Sequence, residues 1–199
     1  MTRQTTAPLE HLSLNATNRF ADFFVRNVQR GTMLLDPPYQ RGDVWTDSQR
    51  MGLVRSWLMG IPVPAVVIND RSGPAWARAN PGYFDGDGTP AVYAVIDGKQ
   101  RILCAAAWLG GDLLVPASWF PADHVDTAED TDDGSYVRFT GLTIVGQRFA
   151  ENRCVLPCAE GRLATVHQEA EVYLLVNGGG TPQTSADMKN AARVAADGN

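Results

Sequence analysis

The sequence lacks any apolar run that approaches the roughly 18 residues of a membrane-spanning helix. Residues 1–6 lead into no apolar core of the kind that a secretory signal requires. Both absences argue against membrane insertion and export. We therefore expect a cytoplasmic protein with no membrane partner.

Histidine and cysteine are also scarce, with three of each. The cysteines form no Cys-x-x-Cys pair, and no histidine stands beside them at zinc-ligand spacing, which argues against a structural metal site. Cys104 falls inside an apolar helical pattern, where a free and buried thiol is expected.

The chain has no excess of basic residues, and its net charge of −5 argues against non-specific binding to nucleic acid. The negative charge is concentrated in residues 121–134, which contain six acidic residues and no lysine or arginine. Without this segment the rest of the chain carries a net charge of +1. Such an acidic loop suits a basic protein partner, and the overall charge does not exclude a locally basic pocket.

What the chain does contain is typical of a globular protein with a core: 44% hydrophobic and 20% charged residues in a length of 199. Residues 1–17 are Thr-rich and lack periodicity, which predicts a flexible arm. Residues 18–199 predict a single domain in which a few strands alternate with helices. The predicted fold class is α+β.

Apolar spacing and turn residues predict the individual elements. The first half contains a helix from residue 18 to Gly31, a strand over 33–35, a capped helix from Thr46 to Gly60, and a strand over 62–68 near a sheet edge. A long surface loop over 69–90 separates these from a strand over 91–96 and a helix over 102–109. Strands over 136–139 and 154–156 follow, and then helices over 163–176 and 184–196.

Five residues between a buried strand and a helix carry the clearest sign of function: Asp97, Gly98, Lys99, Gln100 and Arg101. The first amides of a helix lack intrahelical acceptors, and the helix dipole places partial positive charge there. A glycine allows close backbone approach to an anion, while lysine and arginine add full charges. This motif predicts a phosphate-binding site, in which Asp97 binds Mg²⁺, orients Arg101 or caps the helix.

The same five residues also have a purely structural interpretation. Asp-Gly after a strand is a common turn, aspartate is a favoured helix N-cap, and exposed lysine and arginine are often only solvated. The spacing matches neither the Walker A motif nor the dinucleotide-binding fingerprint. Taken alone, the motif leaves both interpretations open.

A second cluster, Tyr39, Gln40 and Arg41, follows two prolines that hold the chain extended. A stiff segment of this kind can direct Arg41 towards a ligand at low entropic cost. The alternative is that Tyr39 and Trp45 are core anchors and that Arg41 lies at the surface.

A third cluster begins at Asn177 and continues into three consecutive glycines, Gly178, Gly179 and Gly180. Three glycines are costly to order, which indicates either a mobile loop or close backbone approach to a ligand. In the second case Asn177 and Gly179 are the contacts. A plain helix C-cap is the alternative.

In this order, the three clusters resemble the N-terminal domain of GmrSD-type restriction endonucleases. That family has an early Pro-Tyr-Gln-Arg followed by Trp, then Ile-Pro before a strand, Asp-Gly-Gln-Gln-Arg at the start of a helix, and a late Asn-x-Gly-Gly-x-Pro turn. The chain has the corresponding residues at 38–41 and Trp45, at 61–62, at 97–101 and at 177–182. The resemblance covers about residues 18–190.

The resemblance implies a ParB/sulfiredoxin-like α+β fold and nucleotide binding or hydrolysis coupled to restriction of modified or foreign DNA. It also implies phosphate or metal contacts from Asp97, Gly98, Gln100 and Arg101, a second cation at Arg41, and a site wall at residues 178–180.

The chain departs from the family pattern in two ways. Lys99 stands where the family usually has glutamine, which adds a charge but removes an amide that can position water, so binding is better supported than hydrolysis. Family members typically continue into a His-Asn-His nuclease domain, and these 199 residues contain no such histidine cluster. We therefore expect no DNA cleavage by that mechanism from these residues.

The leading hypothesis is a domain that binds a nucleoside triphosphate, with Mg²⁺-dependent hydrolysis as its extension and restriction or phage defence as its context. Asp97 and Arg41 are its catalytic candidates. Its phosphate or nucleotide contacts are Tyr39, Gln40, Gly98, Lys99, Gln100, Arg101, Asn177 and Gly179. The alternatives are a non-catalytic regulatory module that binds DNA, a separate nuclease or another effector protein, and a ParB-like nuclease that uses Asp97 and a metal.

Overall fold

The computed structural model describes residues 8–9, 11–38, 45–85, 90–178 and 193. In chain order the first elements are β1 (Asn15–Phe20), α1 (Ala21–Gln29), β2 (Met33–Leu34), α2 (Asp47–Met59), β3 (Val66–Asp70), α3 (Pro74–Ala79) and β4 (Tyr93–Asp97). They are followed by α4 (Lys99–Gly110), β5 (Leu114–Pro116), β6 (Glu129–Thr131), β7 (Gly134–Arg138), α5 (Ile144–Glu151), β8 (Val155–Gly161) and α6 (Val166–Gly178).

The strands form two sheets. The larger has five strands in the order β1-β8-β3-β4-β2, with β3 antiparallel to β4 and parallel to β8. The smaller is antiparallel, in the order β5-β7-β6. Together with the helices, these sheets confirm the α+β class. The more specific ParB/sulfiredoxin-like architecture stays a prediction.

The larger sheet separates two apolar cores because successive strand residues face opposite sides. Val66 and Ile68 of β3 belong to a core that also includes residues of α1, α2 and α4. Val67, between them, packs with Tyr173 of α6 and with Ile96 of β4. The end of β4, where the 97–101 motif begins, therefore lies between α4 on one side of the sheet and α6 on the other.

The predicted helix from residue 18 and the predicted arm over 1–17 both require correction. Residues 15–20 form β1, which pairs antiparallel with β8 from Asn15 opposite Glu160 to Phe20 opposite Val155. The helix begins only at Ala21. Pairing with a distant strand overrides the local helical spacing, and it places the last three residues of the predicted arm in the sheet.

The predicted edge position of the strand after the Ile-Pro pair is also wrong. The prolines precede β3, which is the central strand of its sheet, and all five residues of β3 are buried. The predicted loop over 69–90 contains the end of β3 and the short helix α3. Pro74 stands at the first turn of α3, and Trp76 anchors the helix in the interior.

Other elements follow the sequence closely. Thr46 and Gln49 form the predicted capping box of α2, and Gly60 ends that helix in a left-handed conformation. Cys104 is free and buried, as predicted. The acidic 121–134 segment is a hairpin arm rather than a loop, because it contains β6 and reaches β7.

The predicted helix over 184–196 lies outside the described residues except for Arg193, which is helical. Within the described part of the chain, no helix combines the length and the apolarity needed to cross a membrane.

Candidate functional site

The junction between β4 and α4 is formed by a glycine that no other residue could replace without strain. Gly98 has φ +97° and is the N-cap of α4, and its carbonyl accepts from the amides of Arg101 and Ile102 at 3.0 and 3.1 Å. A Cβ at this position would lie 2.9 Å from Cγ2 and 3.0 Å from Cα of Val66. In the described residues Gly98 therefore packs closely against β3, and its predicted close approach to an anion stays a prediction.

Asp97, the last residue of β4, orients Arg101. Its Oδ2 accepts from Nη2 of Arg101 at 2.6 Å, and the same Nη2 lies 3.0 Å from the carbonyl oxygen of Ala65. The two side chains are 20% and 14% exposed. No side chain caps α4, so the predicted capping role of Asp97 is wrong. The guanidinium is instead held in one position beside the first turn of α4.

Arg101 retains hydrogen-bonding capacity after these contacts. Its Nε is buried and has no hydrogen-bond partner among the described residues. A buried donor without an acceptor is unusual in a folded protein.

Lys99, the first residue of α4, is also paired with a carboxylate. Its Nζ contacts Oδ1 of Asp36, two residues beyond the end of β2. The Lys99 side chain is 17% exposed, whereas that of Asp36 is 66% exposed. The sequence has two lysines, Lys99 and Lys189, so this is the only ammonium group in the described part of the chain. The ammonium of Lys99 is thus in contact with the exposed carboxylate of Asp36.

Gln100 connects the first turn of α4 to the start of α2. Its Oε1 accepts from the backbone N–H of Trp45 at 3.3 Å. Asp36 and Trp45 stand on either side of residues 39–44, and both contact this turn. Tyr39, Gln40 and Arg41 themselves lie outside the described residues.

The backbone amides of Lys99 and Gln100 are the remaining donors of this turn. In the described part of the chain neither amide has an acceptor, because the first bonds of α4 are those of Arg101 and Ile102. The first turn of α4 therefore carries two free amides, with the ammonium of Lys99 beside Asp36 and the guanidinium of Arg101 beside Ala65. This combination can bind an anion with several oxygens.

The third predicted cluster lies at the end of α6. Asn177 donates through Nδ2 to the carbonyl oxygen of Tyr173 at 2.9 Å, as expected for a residue near a helix end. Because Glu169 contacts the end of β3 and Tyr173 packs with Val67, α6 runs towards the sheet end that carries Gly98. Gly179 and Gly180 lie outside the described residues.

The described residues provide few ligands for a metal ion at the junction between β4 and α4. They contain no group of three or more His, Cys, Asp or Glu side chains that could hold a metal ion. Asp97 is the one carboxylate of the motif, and its Oδ2 is already bound by Arg101. Mg²⁺ is commonly held by one or two carboxylates together with substrate phosphates and water, and only that arrangement fits here.

Sequence reasoning missed a buried polar network on the other side of β3. Glu169 of α6 accepts from Nε and Nη2 of Arg71 at 2.8 and 2.7 Å, and from Nδ2 of Asn69 at 2.8 Å. Nη1 of Arg71 donates to the hydroxyl of Tyr83 at 2.9 Å, and the guanidinium stacks over Trp76. The available signal was the polar Asn-Asp-Arg run directly after an apolar strand.

The electrostatics of this network follow from its burial. Desolvation lowers the pKa of Arg71. The hydrogen bond and charge of Glu169, together with a smaller contribution from Tyr83, raise the pKa by more than desolvation lowers it, so the net pKa of Arg71 is raised. Both charged side chains are almost fully buried, at 4% and 0% exposure. The network therefore joins α6 to the end of β3 and to Trp76 of α3.

A cleft of about 530 Å³ lies at the opposite end of α4 and contains none of the predicted site residues. Its lining includes Asn18, Phe20 and Asp22 near α1, and Leu109 near the end of α4. The predicted site is thus distinct from this cleft.

Comparison with known proteins agrees with the motifs. The family model for the N-terminal domain of the GmrSD restriction endonuclease matches residues 21–133, more than half of the chain. No curated protein and no solved structure matches significantly. The match includes the 97–101 motif and both of its described neighbours, Asp36 and Trp45. This chain belongs to the GmrSD restriction endonuclease N-terminal domain family.

Proposed function

We propose that the chain binds the phosphates of a nucleoside triphosphate at the first turn of α4, within a system that restricts DNA. Family membership supports the link to restriction. The observation that carries the nucleotide proposal is that the first turn of α4 combines the amides of Lys99 and Gln100 with the side chains of Lys99 and Arg101.

Each residue has a defined part in this proposal. Phosphate oxygens accept from the two free amides, aided by the positive end of the helix dipole. Lys99 exchanges the exposed carboxylate of Asp36 for phosphate. Arg101 keeps its contact with Asp97, which fixes the guanidinium before the ligand arrives and so reduces the entropy lost on binding. Arg41, four residues before Trp45, would supply a further cation.

Hydrolysis is an extension of the same proposal. Mg²⁺ bound mainly by phosphates and water would take one further ligand from Asp97, and it would neutralise charge on the phosphates. Arg41 would stabilise charge that develops in the transition state. Gln100 would hold Trp45, and with it the segment that carries Arg41, against α4. Asn177 and the glycines after it would form the wall opposite α4.

A second candidate function rests on a different observation. Both described cations of the motif already have carboxylate partners, and Gly98 is required by its packing against Val66. The motif would then be structural, and the acidic hairpin of β6 and β7 would bind a basic protein partner in a regulatory module. A ParB-like nuclease is less well supported, because one paired carboxylate is a poor basis for two-metal chemistry.

Thermal unfolding with ATP, GTP, CTP or UTP, with and without Mg²⁺, tests the first candidate. A true ligand at one hundred times its Kd stabilises by about 2.7 kcal/mol. The nucleotide that stabilises most is then titrated by calorimetry into the wild type and Lys99→Met, which keeps the aliphatic stem but removes the ammonium. We expect about tenfold weaker binding, the value of one charge-assisted hydrogen bond.

Arg26→Met is the matched control for that titration. Arg26 is also a helical cation in an ion pair, with Asp22, and it lies near the opposite end of α4. Its loss should leave the affinity unchanged. Equal affinity of the wild type and Lys99→Met, or the same loss in both variants, would rule out phosphate binding at this turn. Steep salt dependence of DNA binding that nucleotide does not alter would favour the second candidate.

A further inference from the structure

We infer that β1 is a docking edge for a second copy of this chain, and that two copies pair through it in antiparallel fashion about a two-fold axis. The inference goes beyond the proposed function, because it concerns an edge strand of the larger sheet and needs no nucleotide. β1 and its partner β8 also lie outside residues 21–133, the span that the family model matches.

The backbone of β1 has hydrogen-bonding groups on its outer side. Ala21 donates to the carbonyl oxygen of Cys154 at 2.8 Å, in continuation of the β1–β8 register. Because hydrogen-bonded and non-hydrogen-bonded pairs alternate along an antiparallel ladder, Ala16, Asn18 and Phe20 direct their N–H and C=O groups away from β8. β1 is the outermost strand of its sheet, and these groups have no partner among the described residues.

The other sheet edges in the described part of the chain carry features that discourage pairing. β2 is two residues long and is soon followed by two prolines, β5 ends in a proline, and β6 is short and begins with two acidic residues. β1 is six residues long and contains neither proline nor lysine. Its one charged residue, Arg19, is paired with Glu160 of the same chain. β1 is therefore the edge best suited to pair with another strand.

One register pairs every outward group of β1 with its counterpart in a second copy. It places Asn18 opposite Asn18 of the second copy and Ala16 opposite Phe20 of the second copy. Residues directly opposite in an antiparallel pair project to the same face. The Phe20 ring, which is 56% exposed, therefore lies beside the small side chain of Ala16 from the other copy. Arg19 comes opposite Thr17, so like charges do not face each other.

An apolar cleft continues from Ala16 on the same face of the sheet. Ala16 lies opposite Ala159 of β8, and Ala159 lines a cleft of about 360 Å³. Its lining is mostly apolar and includes Leu175 and Val176 of α6, which are 76% and 45% exposed. The Phe20 ring of the second copy adds an apolar group beside this cleft. A two-fold interface is self-complementary, so the contact occurs twice.

The size of the edge determines the affinity that we expect. Six strand residues extend about 20 Å, and a sheet is about 10 Å thick. Such an edge is smaller than the surface of roughly 800 Å² per partner that standard complexes bury. We therefore expect a dimer that dissociates on dilution, with a Kd in the micromolar range.

Sedimentation equilibrium of the full chain measures this Kd. Asn18→Lys places two ammonium groups opposite each other and should raise the Kd about fivefold or more. Ser135→Lys is the control, because it adds the same charge at an exposed position of the smaller sheet and should leave the Kd unchanged. Phe20→Ala should also raise the Kd, whereas Ile144→Ala, which truncates a more exposed side chain on α5, should not. Circular dichroism checks that each variant is folded.

Crosslinking tests the register. In Asn18→Cys the two thiols face each other, with their Cα atoms about 5.5 Å apart, as in any hydrogen-bonded antiparallel pair. In Ala16→Cys the two thiols are four residues out of register, more than about 13 Å apart. A short bis-methanethiosulfonate reagent should therefore give a covalent dimer of Asn18→Cys but not of Ala16→Cys. The three native cysteines are buried and provide no competing site.

The outcomes decide the inference. A wild type that dimerises, a higher Kd for Asn18→Lys but not for Ser135→Lys, and crosslinking at position 18 alone support it. A wild type that stays monomeric, equal Kd values for the two lysine variants, or equal crosslinking at positions 16 and 18 would overturn it. If the wild type is monomeric and the Asn18 amide still exchanges slowly with solvent deuterium, another segment of the chain covers the edge instead.

Discussion

Two groups of ion pairs lie on this domain and differ in nearly every physical respect. Arg71 and Glu169 form a bidentate pair with almost no exposed surface, and Asn69 and Tyr83 supply further hydrogen bonds. At the start of α4, Lys99 instead pairs with a carboxylate that is mostly in water. Each group includes a pair that is distant in sequence, but only the second surrounds a helix end with free amides.

The difference distinguishes a structural network from an exchangeable one. Removing either charge from Arg71 and Glu169 leaves the other buried without compensation, which is strongly destabilising. Removing Asp36 from Lys99 leaves the ammonium close to solvent and to any anion in it. Arg101 is intermediate, because its partner Asp97 is largely buried but belongs to the same junction. Ligand exchange is therefore expected at Lys99 and not at Arg71.

The largest expected effect is on stability at the buried pair. Glu169→Gln keeps the shape of the side chain but removes its charge, which leaves the guanidinium of Arg71 without a carboxylate. We expect a loss of about 3–5 kcal/mol in the free energy of unfolding, measured by urea denaturation. Asp22→Asn, in an exposed pair with Arg26, should change it only slightly. Equal losses in the two variants would remove the proposed distinction between buried and exposed pairs.

A smaller effect is expected at the turn that positions the motif. Gly98→Ala combines a left-handed backbone with a Cβ pressed against Val66 and should cost about 3 kcal/mol. Gly60→Ala is the control, because Gly60 has φ +69° but open space around its Cβ, and it should cost about 1 kcal/mol. Both are compared by chemical denaturation. Indistinguishable losses would show that packing against β3 does not constrain the start of α4.

The smallest expected effect is on stability at the exchangeable pair. Lys99→Met removes the ion pair with Asp36 but leaves the aliphatic stem in place. The free energy of unfolding should change by less than about 1 kcal/mol, because the partner is largely solvated. A loss as large as that of Glu169→Gln would mean that Lys99 is structural, and it would favour the second candidate function.

The sequence predicts the start of α4 well because its signals are local. Five adjacent residues place a strand end, a turn glycine and the first helical turn, and the structure has each of them in that order. The capping box of α2 is equally local, since Thr46 and Gln49 are three residues apart. Patterns of this kind depend on backbone geometry over a few residues, which tertiary contacts rarely overturn.

What the sequence could not predict depends on distant partners. Asp36 meets Lys99 across 63 positions, and Arg71 meets Glu169 across 98. β1 was predicted as the end of a flexible arm and the start of a helix. The pairing that makes it a strand is with β8, which is more than 130 residues away in sequence. Two of the three predicted clusters extend beyond the described residues, so the roles of Arg41 and of Gly179 stay predictions.

The most direct test of the phosphate site is a titration of ¹⁵N-labelled protein with a nucleoside triphosphate, followed through the backbone amides. The amides of Lys99 and Gln100 are free donors in the described structure, so they should show the largest chemical-shift changes, with saturation at the calorimetric Kd. If those two amides do not move, or if the shifts centre instead on the cleft around Asn18 and Phe20, phosphate binding at the start of α4 is contradicted.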